Sequence, residues 1–131
     1  MIRLIRRYDF SAAHVLARSD WSETRNRSVY GKCANPSGHG HNYRIELTLD
    51  GVPELEGLDA IVEKRVLSEL DSRFLNREVP AFSQVVPTAE NIARHIWDTL
   101  DGAFEPTRLV AVRLVETGNN SVEYFGGDCE A

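Results

Sequence analysis

The hydrophobic pattern of the chain changes period several times, and each change marks an element. Ile2, Leu4, Tyr8 and Phe10 share one parity, interrupted by Arg6, so residues 2–10 read as a strand. The strand runs into Ser11-Ala12-Ala13-His14, whose small side chains leave room for a close approach. From Leu16 to Lys32 the residues are polar and lack a period, which predicts a long loop. His39-Gly40-His41 then leads into Asn42–Leu49, which alternates like a half-buried strand. Asp50-Gly51 is a turn signal with no convincing second strand directly behind it. Leu58, Ile61, Val62, Val66, Leu67 and Leu70 predict a helix from about residue 58 to 70, fading through residues 71–76 into the loop Glu78-Val79-Pro80. Thr88 reads as an N-cap, Ile92, Ala93, Ile96, Trp97 and Leu100 as a buried helical face, and Asp101-Gly102 as a stop. His95 falls off that stripe and reads as solvent-facing. Residues 109–116 form a β-prone run, Thr117-Gly118-Asn119-Asn120 has turn chemistry, and residues 121–125 return as a strand.

This order predicts one α+β domain over residues 1–131, an antiparallel four-stranded sheet with two helices on one face. A chain of 131 residues needs neither disulfides nor metal to hold a core. The formal net charge of −5 argues against a general nucleic-acid binder, because neutralising phosphates needs a basic surface. The chain has no apolar run of membrane-spanning length, and its first residues lack a signal-peptide core. The expectation is therefore a cytoplasmic protein, without a membrane or nucleic-acid partner, in which Cys33 and Cys129 are separate thiols.

The chemistry concentrates in Cys33-Ala34-Asn35-Pro36-Ser37-Gly38-His39-Gly40-His41. Side chains two apart on a strand share a face, so His39 and His41 converge. His14 keeps the parity of Tyr8 and Phe10, and with the downstream pair it reads as a third ligand. Three histidines without a fourth protein ligand match a catalytic Zn²⁺ site, whose open position takes water or a substrate oxygen. Cys33 admits three readings: a fourth ligand closing a structural site, a base or nucleophile beside the metal, or a core residue. Glu116 shares the parity of Val110, Val112 and Leu114. Such a carboxylate either ends the strand in water or, if buried, needs a partner, and it can take two parallel hydrogen bonds from an amino-pyrimidinone edge.

Five segments together resemble the 6-pyruvoyl-tetrahydropterin synthase / 6-carboxytetrahydropterin synthase family. They are Phe10–His14, Tyr30–Tyr43, Leu70-Asp71, Pro87–Asn91 and Val115–Asn120, in the family's order and spanning nearly the whole chain. The resemblance implies the T-fold, in which strands of neighbouring subunits join into a barrel with helices outside, and a homohexamer of two stacked trimers with active sites at subunit interfaces. It implies His14, His39 and His41 as zinc ligands, Cys33 as the general base with Asp71 in the proton relay, and Glu116 as the anchor of the pterin ring. Thr88 and Thr117 fall in pterin-pocket segments. The implied activity is a zinc-dependent lyase acting on 7,8-dihydroneopterin triphosphate or a close dihydropterin analogue. One branch of the family yields 6-pyruvoyl-tetrahydropterin, the other the 6-carboxy compound used for queuosine.

The chain departs from the family in one place that matters chemically. Family enzymes usually carry Asp-His where this chain has Asp71-Ser72, and serine does not titrate near neutral pH. The segment Glu54-Leu55-Glu56-Gly57 also lacks the Asp-Phe-type motif expected before the first helix. Two alternatives follow: a pterin-binding paralogue with lost or altered catalysis, or an enzyme that cleaves the side chain of unphosphorylated dihydroneopterin.

Overall fold

A computed structural model describes residues 1–127; Cys129, and with it the expectation of two separate thiols, lies outside the described residues. Four strands form the expected antiparallel sheet: β1 (Arg3–His14), β2 (His39–Asp50), β4 (Arg108–Thr117) and β5 (Asn120–Tyr124). A fifth strand, β3 (Arg73–Phe74), was not expected; it pairs parallel with Ala12 and Ala13 at the sheet edge and gives the order β3-β1-β2-β4-β5. A two-residue strand carries no period, so only its partner reveals it.

The alternation that predicts the strands also sorts their faces. Phe10, Tyr43, Ile45, Leu47, Leu49, Val112 and Leu114 point into one core with Leu58, Val62, Val66 and Leu70 and with Ile92, Ala93, Ile96 and Leu100. The opposite face is charged and solvated, with Arg44 paired to Asp9 and both Arg7 and Arg113 to Glu46. Two helical stretches cover the core face: α2 (Leu55–Val62) running on through residues 63–67 into α3 (Ser68–Leu70), and α5 (Ala89–Leu100). Residues 63–67 form a π turn, for which the spacing of the buried positions supplies a reason. Leu58, Val62, Val66 and Leu70 recur every fourth residue, whereas an α-helix turns every 3.6. A wider turn keeps all four on the sheet. Asp59 fastens α2 to β1 by accepting from Arg6 Nε (3.1 Å), Arg6 Nη2 (2.7 Å) and the Tyr8 hydroxyl (2.6 Å).

The segment expected as a loop over 16–32 instead contains α1 (Glu23–Tyr30), followed by a 3₁₀ turn over Gly31–Ala34. Ser22 caps it by accepting from Arg25 N–H, and Gly31 ends it with a φ of 60°. Asn26 is the buried residue of this helix and clamps the preceding chain, accepting from Arg18 N–H (2.8 Å) and donating to Arg18 C=O (3.0 Å). A helix that buries an asparagine rather than an apolar stripe shows no hydrophobic period. The short α4 (Leu75–Glu78) links β3 to the segment before α5. His95 is not solvent-facing as expected: its Nε2 meets Glu69 Oε1, and its ring packs on Phe82, which ties α5 to α3. Among the described residues no helix is long and apolar enough to cross a membrane.

Candidate active site

Antiparallel pairing brings the histidines together at one end of the core face. In the β1–β2 register His14 lies opposite His39 and Ala12 opposite His41, so one cross-strand pair and one two-residue step assemble three imidazoles. Their ring centroids lie 4.6 Å (His14–His39), 5.1 Å (His14–His41) and 4.7 Å (His39–His41) apart. The turn into β2 requires Gly38: its φ is 76°, and a Cβ there would lie 2.8 Å from the Phe74 ring. Gly40, by contrast, has ordinary room.

His14 is fully buried, and its Nδ1 donates to the Pro87 carbonyl oxygen at 2.8 Å. A carbonyl only accepts, so the hydrogen sits on Nδ1 and the Nε2 lone pair turns toward the other two rings. His14 Nε2 lies 3.1 Å from His39 Nε2, while His39 Nδ1 and His41 Nε2 are buried without a hydrogen-bond partner. Burial pulls the His14 pKa down to about 4, the neighbouring His39 and His41 push the same way, and the Pro87 bond opposes them. His39 is lowered by burial and by His41, against the Glu116 carboxylate. One potential ligand atom from each histidine fits within a 4.8 Å cluster. Two imidazoles pushed toward the neutral form, with His14 Nε2 facing His39 Nε2 and a buried His41 Nε2 without a partner, suit a borderline-soft divalent cation such as Zn²⁺. The residues fit the metal.

Cys33 and Glu116 belong to the same end of the molecule. Cys33 sits in the 3₁₀ turn behind α1, half-buried, with its carbonyl accepting from Leu16 N–H at 2.7 Å. Burial and then the Glu116 carboxylate raise its pKa, so the protein's own groups keep it a thiol at neutral pH. Among the described residues no cationic side chain acts on it to lower that value. Glu116 follows Val112 and Leu114 on the core-facing side of β4, and its charge is felt at Cys33, His39 and Tyr43.

Asp71 and Thr117 lie elsewhere. Asp71 Oδ1 accepts from Ser11 N–H (2.9 Å) at the outer edge of β1, and Ser72 N–H donates to Ser11 C=O (2.6 Å). With Thr117, Ser11, Asn42, Arg44 and Arg113, Asp71 lines a cavity of about 720 Å³ on the sheet's charged face. One protomer therefore does not bring Asp71 to Cys33. Thr88 caps α5 through Asn91 N–H (3.2 Å), directly after the Pro87 carbonyl that orients His14. Two site components escaped the sequence reading: that carbonyl, which no residue type announces, and Tyr43, which the shared parity with His39 and His41 would have disclosed. Its buried hydroxyl lies 3.4 Å from His14 Nδ1.

The family model described as 6-pyruvoyl tetrahydropterin synthase matches residues 3–127. Curated relatives named 6-pyruvoyl tetrahydrobiopterin synthase are 40% identical over 129 residues in Homo sapiens, covering 92% of this chain and 89% of the relative. In Dictyostelium discoideum the figure is 35% over 131 residues, covering 94% and 95%. The solved 6-pyruvoyl tetrahydropterin synthase of Caenorhabditis elegans superposes with a TM-score of 0.89 at 32% identity over 96% of each chain. An uncharacterised Wolinella succinogenes protein shares the fold alone, with a TM-score of 0.72 at 15% identity over 96% of this chain and 98% of that one.

Proposed function

Because the chain belongs to the 6-pyruvoyl tetrahydropterin synthase family, we propose that it is a zinc-dependent lyase of pterin metabolism. Its substrate is 7,8-dihydroneopterin triphosphate or a close dihydropterin analogue. The observation that carries the reading is the cluster of His14, His39 and His41, with its orphaned nitrogens, beside Cys33 and Glu116. Bound there, zinc supplies Lewis-acid polarisation of a substrate oxygen and the positive charge that Cys33 otherwise lacks. Glu116 holds the ring by accepting two hydrogen bonds from its amino-pyrimidinone edge, with Thr88 and Thr117 in supporting positions. Cys33 Sγ removes a proton from the side chain of the ring so held, and Asp71 carries protons onward.

That assignment needs more than one copy of the chain. Asp71 and Cys33 sit on different faces of one sheet, so a relay between them is completed by a neighbouring protomer. The working form in this reading is a homohexamer. The relatives' names favour the 6-pyruvoyl product over the 6-carboxy compound.

Incubating zinc-loaded protein with 7,8-dihydroneopterin triphosphate, with products separated by liquid chromatography and mass spectrometry, tests the proposal. A new tetrahydropterin that disappears in Cys33→Ala supports it; an unaltered pterin after long incubation overturns it. Ser72 favours one variation, a slowed or redirected lyase, because the usual imidazole is missing. Loss of a general acid–base group removes a factor of ~10²–10⁴ in rate. Ser72→His should recover part of that factor, and an unchanged rate removes this explanation.

A further inference from the structure

Among the described residues, the hydroxyl hydrogen of Tyr43 has no acceptor. The residue is 1% exposed, lies on β2 two places after His41, and stacks on Phe10 with centroids 4.9 Å apart. Its one polar neighbour among the described contacts is His14 Nδ1, at 3.4 Å. That nitrogen already carries the hydrogen given to the Pro87 carbonyl at 2.8 Å, so it has no lone pair to offer. The hydroxyl oxygen can only accept weakly there, and its own hydrogen remains unused. Buried hydroxyl donors are rarely left in that state.

The adjacent strand carries a matching acceptor. The β2–β4 register ends with Arg44 opposite Val115, so Tyr43 and Glu116 are the next residues on the two neighbouring strands, where β4 turns irregular between Val115 and Thr117. Among the described residues the Glu116 carboxylate makes no hydrogen bond, and its charge acts on Tyr43. The geometry points to Tyr43 as a positioning residue whose O–H donates to one Glu116 oxygen when a pterin occupies the site, fixing the carboxylate plane against the amino-pyrimidinone edge. The inference rests on Glu116 being the pterin anchor. Tyr43 does not itself touch the ring; it acts through Glu116, and its apolar body remains part of the core.

Tyr43→Phe keeps the ring and its stack and removes only the hydroxyl. Using the zinc-loaded full chain and 7,8-dihydroneopterin as the fluorescent probe, the Kd should rise ~10–100-fold, the range for one hydrogen bond to a charged group. Zinc affinity should stay unchanged. In a Glu116→Ala background, which deletes the acceptor oxygens, the same substitution should have little further effect, because both changes remove one interaction. Effects that simply multiply overturn the inference, as does a fall in zinc affinity, which would mean that Tyr43 acts through His14. Wild-type protein that fails to bind the probe removes the pterin reading itself, and the Tyr43 role with it. Should the variant misfold, ultraviolet resonance Raman of the wild type reads the same contact. The pterin-induced difference spectrum should show a tyrosine becoming a hydrogen-bond donor, and an unchanged spectrum overturns the claim.

Discussion

Replacing His41 with leucine should stabilise the metal-free protein while abolishing its response to zinc. His41 Nε2 and His39 Nδ1 are buried without partners, and an unsatisfied buried polar atom costs about 1–3 kcal/mol. Zinc removes the His41 penalty by ligation; leucine removes it by deletion. For 131 residues the unfolding entropy near the midpoint is about 0.28 kcal/mol/K, from roughly 2.1 cal/mol/K per residue. Free zinc at a thousand times its Kd contributes about 4.1 kcal/mol, which raises the wild-type Tm by about 15 °C; at a hundred times, about 2.7 kcal/mol gives about 10 °C. His41→Leu should gain about 1 kcal/mol without metal, the low end of the range because the residue is partly exposed, or about 4 °C. Its zinc-dependent shift should fall to a few degrees at most. Scanning calorimetry of metal-free and zinc-titrated samples reads all four values. A metal-free variant less stable than wild type that keeps the full zinc shift would refute the reasoning, because His41 would then be a packing residue rather than a ligand.

Three further outcomes follow from other parts of the molecule. Cys33 is raised first by burial and then by Glu116, so the pH profile of its alkylation in metal-free protein should move to lower pH in Glu116→Gln yet retain the larger contribution from burial; an unmoved profile would separate the two residues. Asp59 is lowered by the Arg6 and then the Tyr8 hydrogen bond, so it stays ionised in the folded protein to lower pH than when unfolded. Its stabilisation is complete above the unfolded value of 3.8 and fades as pH falls below it. Unfolding free energies of wild type and Asp59→Asn in urea should therefore differ at pH 7 by less than about 1 kcal/mol, since both side chains of the pair remain partly open to solvent, and converge at low pH. Ser72 has a φ of 62°, a left-handed conformation that glycine adopts freely, so Ser72→Gly should stabilise by roughly 1 kcal/mol in urea unfolding; a loss would show that its side chain contributes more than its backbone costs.

Sheet and histidine cluster were legible for a common reason: strand parity is a local signal that survives folding. The parity linking Tyr8, Phe10 and His14 carried β1 to its true end, and the two-residue step joined His39 to His41. What escaped were features whose cause lies in a distant partner. Ser22, Glu23, Arg27 and Gly31 announce the caps and charges of α1, but its buried asparagine leaves no hydrophobic stripe to confirm them. Residues 73–74 became a strand only because Ala12 and Ala13 offered an edge. His95 looked solvent-facing until Glu69 arrived from another helix. Asp71 follows a helix whose apolar stripe was clear, yet nothing in that stripe tells which side of the sheet the carboxylate reaches.

Whether Cys33 stands beside the three-histidine centre as a free thiol, rather than closing it as a fourth ligand, decides between catalytic and structural metal. X-ray absorption at the zinc edge of the loaded protein answers this directly. A free Cys33 thiol predicts three imidazole nitrogens at about 2.0–2.1 Å with a light oxygen neighbour and no sulfur. Sulfur scattering at about 2.3 Å that vanishes in Cys33→Ala would contradict it, because a closed site leaves no position for a pterin oxygen.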